Sequence, residues 1–284
     1  MATTSQDGMP PRPILTAHLF PTIEARLIEL LRGLTPEDWE KQTISPKWKV
    51  KDVTAHLLDT QLRKLAIVRD GGAPEPAEIR SPSDLVALVN RLNEEGVRCY
   101  RRLSPSLLIS MMEMASRQSA EFHQSLDPQA PARFAVSWAG EEASPNWFDT
   151  AREFTERWHH QQQIRLAVDR PGIMTPELYH PVLECFMRGL PHAYRDVVRN
   201  QGAWLRFDIA GECGGTWFLH REGNSWRLGD RASGPPTSGV TIPQEIAWRI
   251  FTKGITREAA VAHVRVDGDQ DLGIHVLGMT TIVG

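Results

Sequence analysis

Glu156-Arg157-Trp158-His159-His160-Gln161-Gln162-Gln163-Ile164-Arg165 lies in a segment that opens as a helix opens, with Ser144-Pro145 ahead of Asn146. Proline in a first helical turn gives up an N–H that has no helical partner there, and its fixed φ suits the helix. No breaker follows until Pro171-Gly172, so the sequence predicts a helix running to about Val168. Trp147, Ala151, Phe154 and Trp158 form its apolar stripe, and Glu156, His160 and Gln163 fall on the opposite side. Residues four apart on a helix share a face, so Glu156 and His160 point to one place with Gln163 just beyond. Amphipathicity alone leaves that side in water, where such a pair adds only roughly a few tenths of a kcal/mol. Carboxylate oxygen and imidazole nitrogen are also ordinary ligands for zinc or a similar divalent ion, which would need a third ligand from elsewhere. Spacing leaves both readings open. His159 is the neighbouring rival to His160, but it points about 100° away from it.

Working outward, the rest of the first half also carries a helical period. Ile14, His18, Leu19, Ile23, Leu27, Leu30, Leu31 and Leu34 make one amphipathic stripe, ended by Gly33 and the Thr35-Pro36-Glu37-Asp38 turn. A second helix is expected from Val50 through Val68, stopped by Gly71, Gly72 and Pro74. His56 lies at the margin of its apolar arc, which makes it the best third ligand; a lone histidine so placed is equally a packed core residue. A third helix is expected over Ser83 to Leu103, with Pro105 interrupting before helical residues resume from Leu107 to His123. Long helices with few strands imply a four-helix bundle. From Trp204 the period falls to two, with Leu205, Phe207 and Ile209 alternating with Trp204, Arg206 and Asp208. Thr216–His220 and Ser225–Leu228 read as a hairpin about Gly223-Asn224, and Val240–Ile242 and His263–Val266 as further strands. The expected class is mainly α: a flexible tail over 1–13, a bundle over 14–170, a helical connection over 171–202, and a small α+β domain over 203–284.

Composition narrows the function classes. The 32 basic residues nearly balance the 35 acidic ones, so the chain has no electrostatic footprint for nucleic acid. No apolar run is long enough to span a membrane, and the polar, proline-rich start does not read as a signal peptide. Cys99, Cys185 and Cys213 include no C-x-x-C pair, which fits a reducing, cytoplasmic setting and argues against a disulfide framework or a cysteine-rich zinc site. None has a neighbouring histidine or basic cluster that would activate it. His220, His263 and His275 read as structural, and Arg157, Arg165, Arg206, Arg221 and Arg227 as solvated.

Trp48-Lys49-Val50-Lys51-Asp52-Val53-Thr54-Ala55-His56-Leu57, preceded by Leu34-Thr35-Pro36-Glu37-Asp38-Trp39, resembles the signature joining the first two helices of the DinB-like bundle superfamily. Glu156-x-x-x-His160-x-x-Gln163-Ile164-Arg165 is similar to the fourth-helix signature of one branch, the mycothiol-dependent maleylpyruvate isomerase family. The resemblance covers Ala17 to Asp169 well. The part from Trp204 resembles only loosely that family's C-terminal domain, which is like sterol-carrier folds. Carried over, the resemblance implies that His56, Glu156 and His160 hold a divalent metal, zinc as a rule, with one coordination position left open. The family commonly has an aspartate where this chain has Gln163, and a neutral amide supports ligand basicity more weakly than a carboxylate.

The implied cofactors are thus the metal and a low-molecular-weight thiol such as mycothiol or bacillithiol. The implied partner is a small-molecule electrophile. Reversible thiol addition to a cis double bond gives isomerisation of a maleylpyruvate-like substrate; a persistent adduct gives S-transfer. The alternatives are a non-catalytic small-ligand-binding protein and a metal-hydroxide hydrolase that needs no thiol. Oligomeric state is not legible in the sequence.

Overall fold

A computed structural model of the chain describes residues 12–282, so most of the expected 1–13 tail lies outside the described residues. The helices of the first half begin where the sequence supplies caps. After a 3-10 turn at Ala17–Leu19, α1 spans Phe20–Arg32. The Thr35 hydroxyl accepts from the Asp38 N–H while the Asp38 carboxylate accepts from the Thr35 N–H, a reciprocal cap that starts the short α2 (Pro36–Trp39). Asp52 caps α3 (Val50–Lys64) through the Lys49 N–H, and a π-helical turn over Leu65–Arg69 extends it. Ser81 and Ser104 cap α4 (Pro82–Tyr100) and α5 (Pro105–Ser125), each with proline in the first turn. α6 covers Asn146–Val168 and closes on Asp169 in the left-handed region (φ 55°).

The chain forms two compact units, which divide inside the 171–202 stretch, between Val182 and Leu183. In the first, α1, α3, α5 and α6 pack on one another as a bundle and α4 packs on α3. Leu27, Leu31, Val50, Val53, Leu57, Leu58, Met112 and Ile164 fill its apolar core. Gly96 permits the α3–α4 approach, since a Cβ there would fall 2.2 Å from the Asp59 carboxyl carbon. The interruption at Pro105 thus separates two full helices, α4 and α5.

The second unit is a sheet with helices, and it also claims Ser137–Gly140 from earlier in the chain. α7 (Pro176–Met187) crosses the division and α8 is Leu190–Ala193. Strands β1 (Trp204–Ala210), β2 (Gly215–Glu222), β3 (Ser225–Gly229), β4 (Ser238–Pro243) and β5 (Arg265–Gly268) stand in the order β3-β2-β1-β4-β5. β1 and β4 are parallel and the other pairs antiparallel. α9 (Gln244–Phe251) packs on β4 and β1, α10 is Arg257–Val261, and α11 (Gln270–Ile274) packs on β4 and β5. The period-two alternation of Leu205, Phe207 and Ile209 is the inward face of β1, and all three side chains are buried. A helical bundle followed by a small α+β domain is the architecture of the chain.

Candidate metal centre

α6 corrects the amphipathic reading of its own sequence. Phe154 and Trp158 are buried as the stripe requires, yet Asp149, Glu153, Arg157, His160 and Gln163 on the other side are buried as well. The helix packs against both α1 and α3, so its polar side faces the bundle interior. Such groups stay buried only when they satisfy one another. Lys64 of α3 lies 2.5 Å from Asp149 and 3.5 Å from Glu153, and Arg152 donates to both carboxylates at 2.6 Å. Arg157 reaches Glu24 of α1 at 3.2 Å, and Glu24 also accepts from Ser116 of α5 at 2.7 Å. Burial pushes the Glu24 carboxyl up despite Arg157, whereas Arg152 and Lys64 outweigh burial at Glu153 and hold it well below its usual range.

The same interior face brings His56, Glu156 and His160 together. One ligand atom from each lies within 4.8 Å of the others, and among the described residues this is the one His/Cys/Asp/Glu grouping with such geometry. His160 Nε2 is 3.4 Å from Glu156 Oε2, and the His56 and His160 rings meet edge to face at 4.6 Å. His56 Nδ1 is buried without a hydrogen-bond partner. Zinc bonds of about 2.0–2.1 Å in a tetrahedron set ligand atoms about 3.3 Å apart. The His160–Glu156 pair already has that spacing, and a neutral His56 offers one unprotonated ring nitrogen, so this donor set fits a divalent ion. The charge states of His56 and Glu156 suit it too. Burial, reinforced by His160, holds His56 well below the usual imidazole range. Burial works against the Glu156 charge, but His159, His160 and Arg152 prevail and hold its carboxyl at about 2. Neutral imidazoles and an ionised carboxylate are the forms that ligate metal.

His159, the rival, turns its Nδ1 to the Thr155 carbonyl at 3.1 Å and stands 4.0 Å from Glu156. Burial and His160 push it down to about 3. The Gln163 amide lies 3.0 Å from His160 Nδ1. The other candidates are placed as structure. His220 and His275 bond the carbonyls of Asp230 and Ala193. Cys99 is exposed on α4, while Cys185 and Cys213 are buried in the sheet-bearing unit. Arg227 is exposed and Arg206 half-buried beside Asp208, but Arg157, Arg165 and Arg221 are buried. Arg165 is held by the carbonyls of Arg26, Arg170 and Pro171.

The sequence reading missed Trp48 as part of this site. Its carbonyl accepts from the Thr43 N–H, the Thr43 hydroxyl and the Gln42 amide, which fixes the residue just ahead of α3. Its half-buried ring covers His56 at 4.6 Å and reaches His160 at 6.0 Å. The available signal was an aromatic residue eight positions upstream of a histidine on the same helix-and-flank segment, which no periodicity rule selects.

Bundle, sheet and a His–Glu–His grouping with both imidazoles buried together define a two-domain protein with the makings of a helical-bundle metal centre. The family model described as mycothiol maleylpyruvate isomerase N-terminal domain matches residues 20–165, and the chain belongs to this family. Among solved structures, a crystal structure of the mycothiol-dependent maleylpyruvate isomerase is similar at a TM-score of 0.51 and 11% identity, over 82% of this chain and 86% of that one. A histidine-to-alanine mutant of the mycothiol-dependent maleylpyruvate isomerase matches at a TM-score of 0.50 and 10% identity, with the same coverage of 82% and 86%. At such identity these likenesses bear on the fold alone. No curated protein matches the chain.

Proposed function

We infer that the chain is a metal- and thiol-dependent enzyme acting on a small electrophile, with His56, Glu156 and His160 as ligands of zinc or a similar divalent ion. The observation that carries this reading is the convergence of the three side chains from α3 and α6, with one ligand atom of each within 4.8 Å of the others. A divalent ion held by these three residues would supply Lewis acidity, lowering the pKa of a thiol beside it. The residues of the chain supply the setting. Glu156 contributes the one negative charge of the grouping, Gln163 orients His160, and the Trp48 ring screens His56 from water. No cysteine of the chain belongs to the grouping, so the nucleophile is read as an added thiol such as mycothiol or bacillithiol. Addition of that thiol to a cis double bond flanked by carbonyls, rotation, and elimination of the same thiol changes geometry without consuming it. Family membership favours this isomerisation of a maleylpyruvate-like compound over S-transfer. Three cysteines with no C-x-x-C pair suit a reducing cytoplasm; no described helix is long and apolar enough to cross a membrane.

Elemental analysis of the purified chain, followed by turnover assays with and without thiol, tests the reading. Near-stoichiometric zinc and thiol-dependent isomerisation are expected. Equal turnover without thiol would point to metal-hydroxide hydrolysis, and absence of both metal and turnover to a non-catalytic ligand-binding protein.

A further inference from the structure

A glutamine amide offers an acceptor on one side and a donor on the other, and a neutral imidazole does the same. Gln163 Oε1 and His160 Nδ1 lie 3.0 Å apart, and both residues are buried. Across the ring, Nε2 lies 3.4 Å from Glu156 Oε2. With the amide oxygen toward the ring, Nδ1 carries the proton and donates to Gln163. Nε2 then turns its lone pair on a carboxylate, acceptor against acceptor. A cation between the two makes this arrangement favourable; with none there it is repulsive. A half-turn of the amide exchanges oxygen for nitrogen. Nδ1 then accepts from the amide N–H, the ring proton sits on Nε2, and Nε2–H donates to Glu156. Nothing else among the described residues hydrogen-bonds the Gln163 amide and so holds it one way round. His159 does not compete for it, because its Nδ1 is bound to the Thr155 carbonyl.

We propose that Gln163 is a positioning residue that lets His160 take either tautomer, Nε2–H toward Glu156 without metal and Nδ1–H toward the amide oxygen when Nε2 ligates. A carboxylate at this position could only accept, and would hold the second form throughout. The glutamine therefore gives the metal-free site a satisfied hydrogen bond of its own, which an incoming ion must displace. The ion is held less tightly and exchanges more readily than a carboxylate neighbour would allow. This inference rests on the metal reading above.

Histidine-ring nitrogen NMR on the isotope-labelled full-length protein, with zinc as the probe, reads the tautomer directly, and a zinc titration gives the affinity. In the wild type the His160 proton should move from Nε2 to Nδ1 as zinc is added. In Gln163→Glu the Nδ1 proton should be present with and without zinc, and zinc should bind about tenfold more tightly. Gln163→Met keeps the shape but removes both hydrogen-bonding faces, and should weaken zinc about tenfold. A wild-type proton that stays on one nitrogen throughout while zinc binds overturns the role of Gln163 alone. So does a zinc affinity that neither variant changes. A wild type that takes up no zinc overturns the metal reading itself, and this inference with it.

Discussion

Two adjacent histidines on one helix seldom do the same work, and here their surroundings separate them. His160 faces Glu156 with one nitrogen and Gln163 with the other, whereas His159 has its Nδ1 on a backbone carbonyl. His160→Ala should therefore remove most bound zinc, and His159→Ala should leave most of it, as read by metal content after dialysis. The reverse order would overturn the ligand assignment. The pair Glu156 and His160 could be picked out because four-residue spacing is a local property, and His56 by its place at the margin of an apolar arc together with the flanking motif. Trp48 and the buried Arg157–Glu24 pair could not be, because they depend on which side of α6 is buried. That is decided by helices distant in sequence.

At the level of the element, α6 shows how a polar helix face can be interior. The rule that polar sides face water assumes one neighbouring core; α6 has neighbours on both sides, and its charges are partnered by residues such as Lys64 and Glu24 that lie far away in the chain. Lys64 is 7% exposed, so its loss strands buried carboxylates that Arg152 only partly compensates. Lys64→Met should cost about 3 kcal/mol in urea unfolding. Adding Asp149→Leu should restore part of it, because removing both partners of a buried pair costs less than removing one. His123 of α5 adds a pH dependence. It stacks on Phe20 at 4.4 Å and bonds the Thr150 hydroxyl at 3.3 Å. Burial, with Lys64 and Arg157 aiding and Glu153 and Asp149 opposing, lowers its pKa from 6.5 to about 3. The unfolded chain thus takes up a proton at higher pH than the folded one. The stabilisation is complete above pH 6.5 and is lost as the pH falls toward 3. His123→Phe should flatten the stability curve in that window by up to about 1.4 kcal/mol per pH unit. Denaturation midpoints across the window measure this, and an unchanged slope would show that His123 does not titrate on unfolding.

On the scale of the whole molecule, the change of period near Trp204 announced a second architecture, but not where the compact units part. Hydrophobic period reports secondary structure, whereas membership of a unit depends on which side chains pack together. Leu183, Cys185, Phe186, Met187, Leu190 and Tyr194 continue a helical pattern, yet they are buried in the sheet-bearing unit. Phe186 meets Phe251 at 5.9 Å, Tyr194 meets Phe207 and Trp226 at 5.9 and 5.7 Å, and the Tyr194 hydroxyl donates to the Leu272 carbonyl at 3.0 Å. All those partners lie beyond residue 204, so a fragment 1–202 keeps the side chains and loses what covers them. Each large apolar group left in water forgoes about 1.5–3 kcal/mol of burial, and a contiguous exposed patch promotes association. Fragment 1–182 omits the whole set. Both fragments should give strongly helical circular dichroism, because α1 and α3 to α6 are present in each. They should differ in solution behaviour: 1–182 should run as a discrete species in size-exclusion chromatography with light scattering, and 1–202 should associate as concentration rises. If 1–202 proved the better behaved of the two, the 183–202 segment would belong energetically with the bundle, and the division between Val182 and Leu183 would not describe how the protein folds.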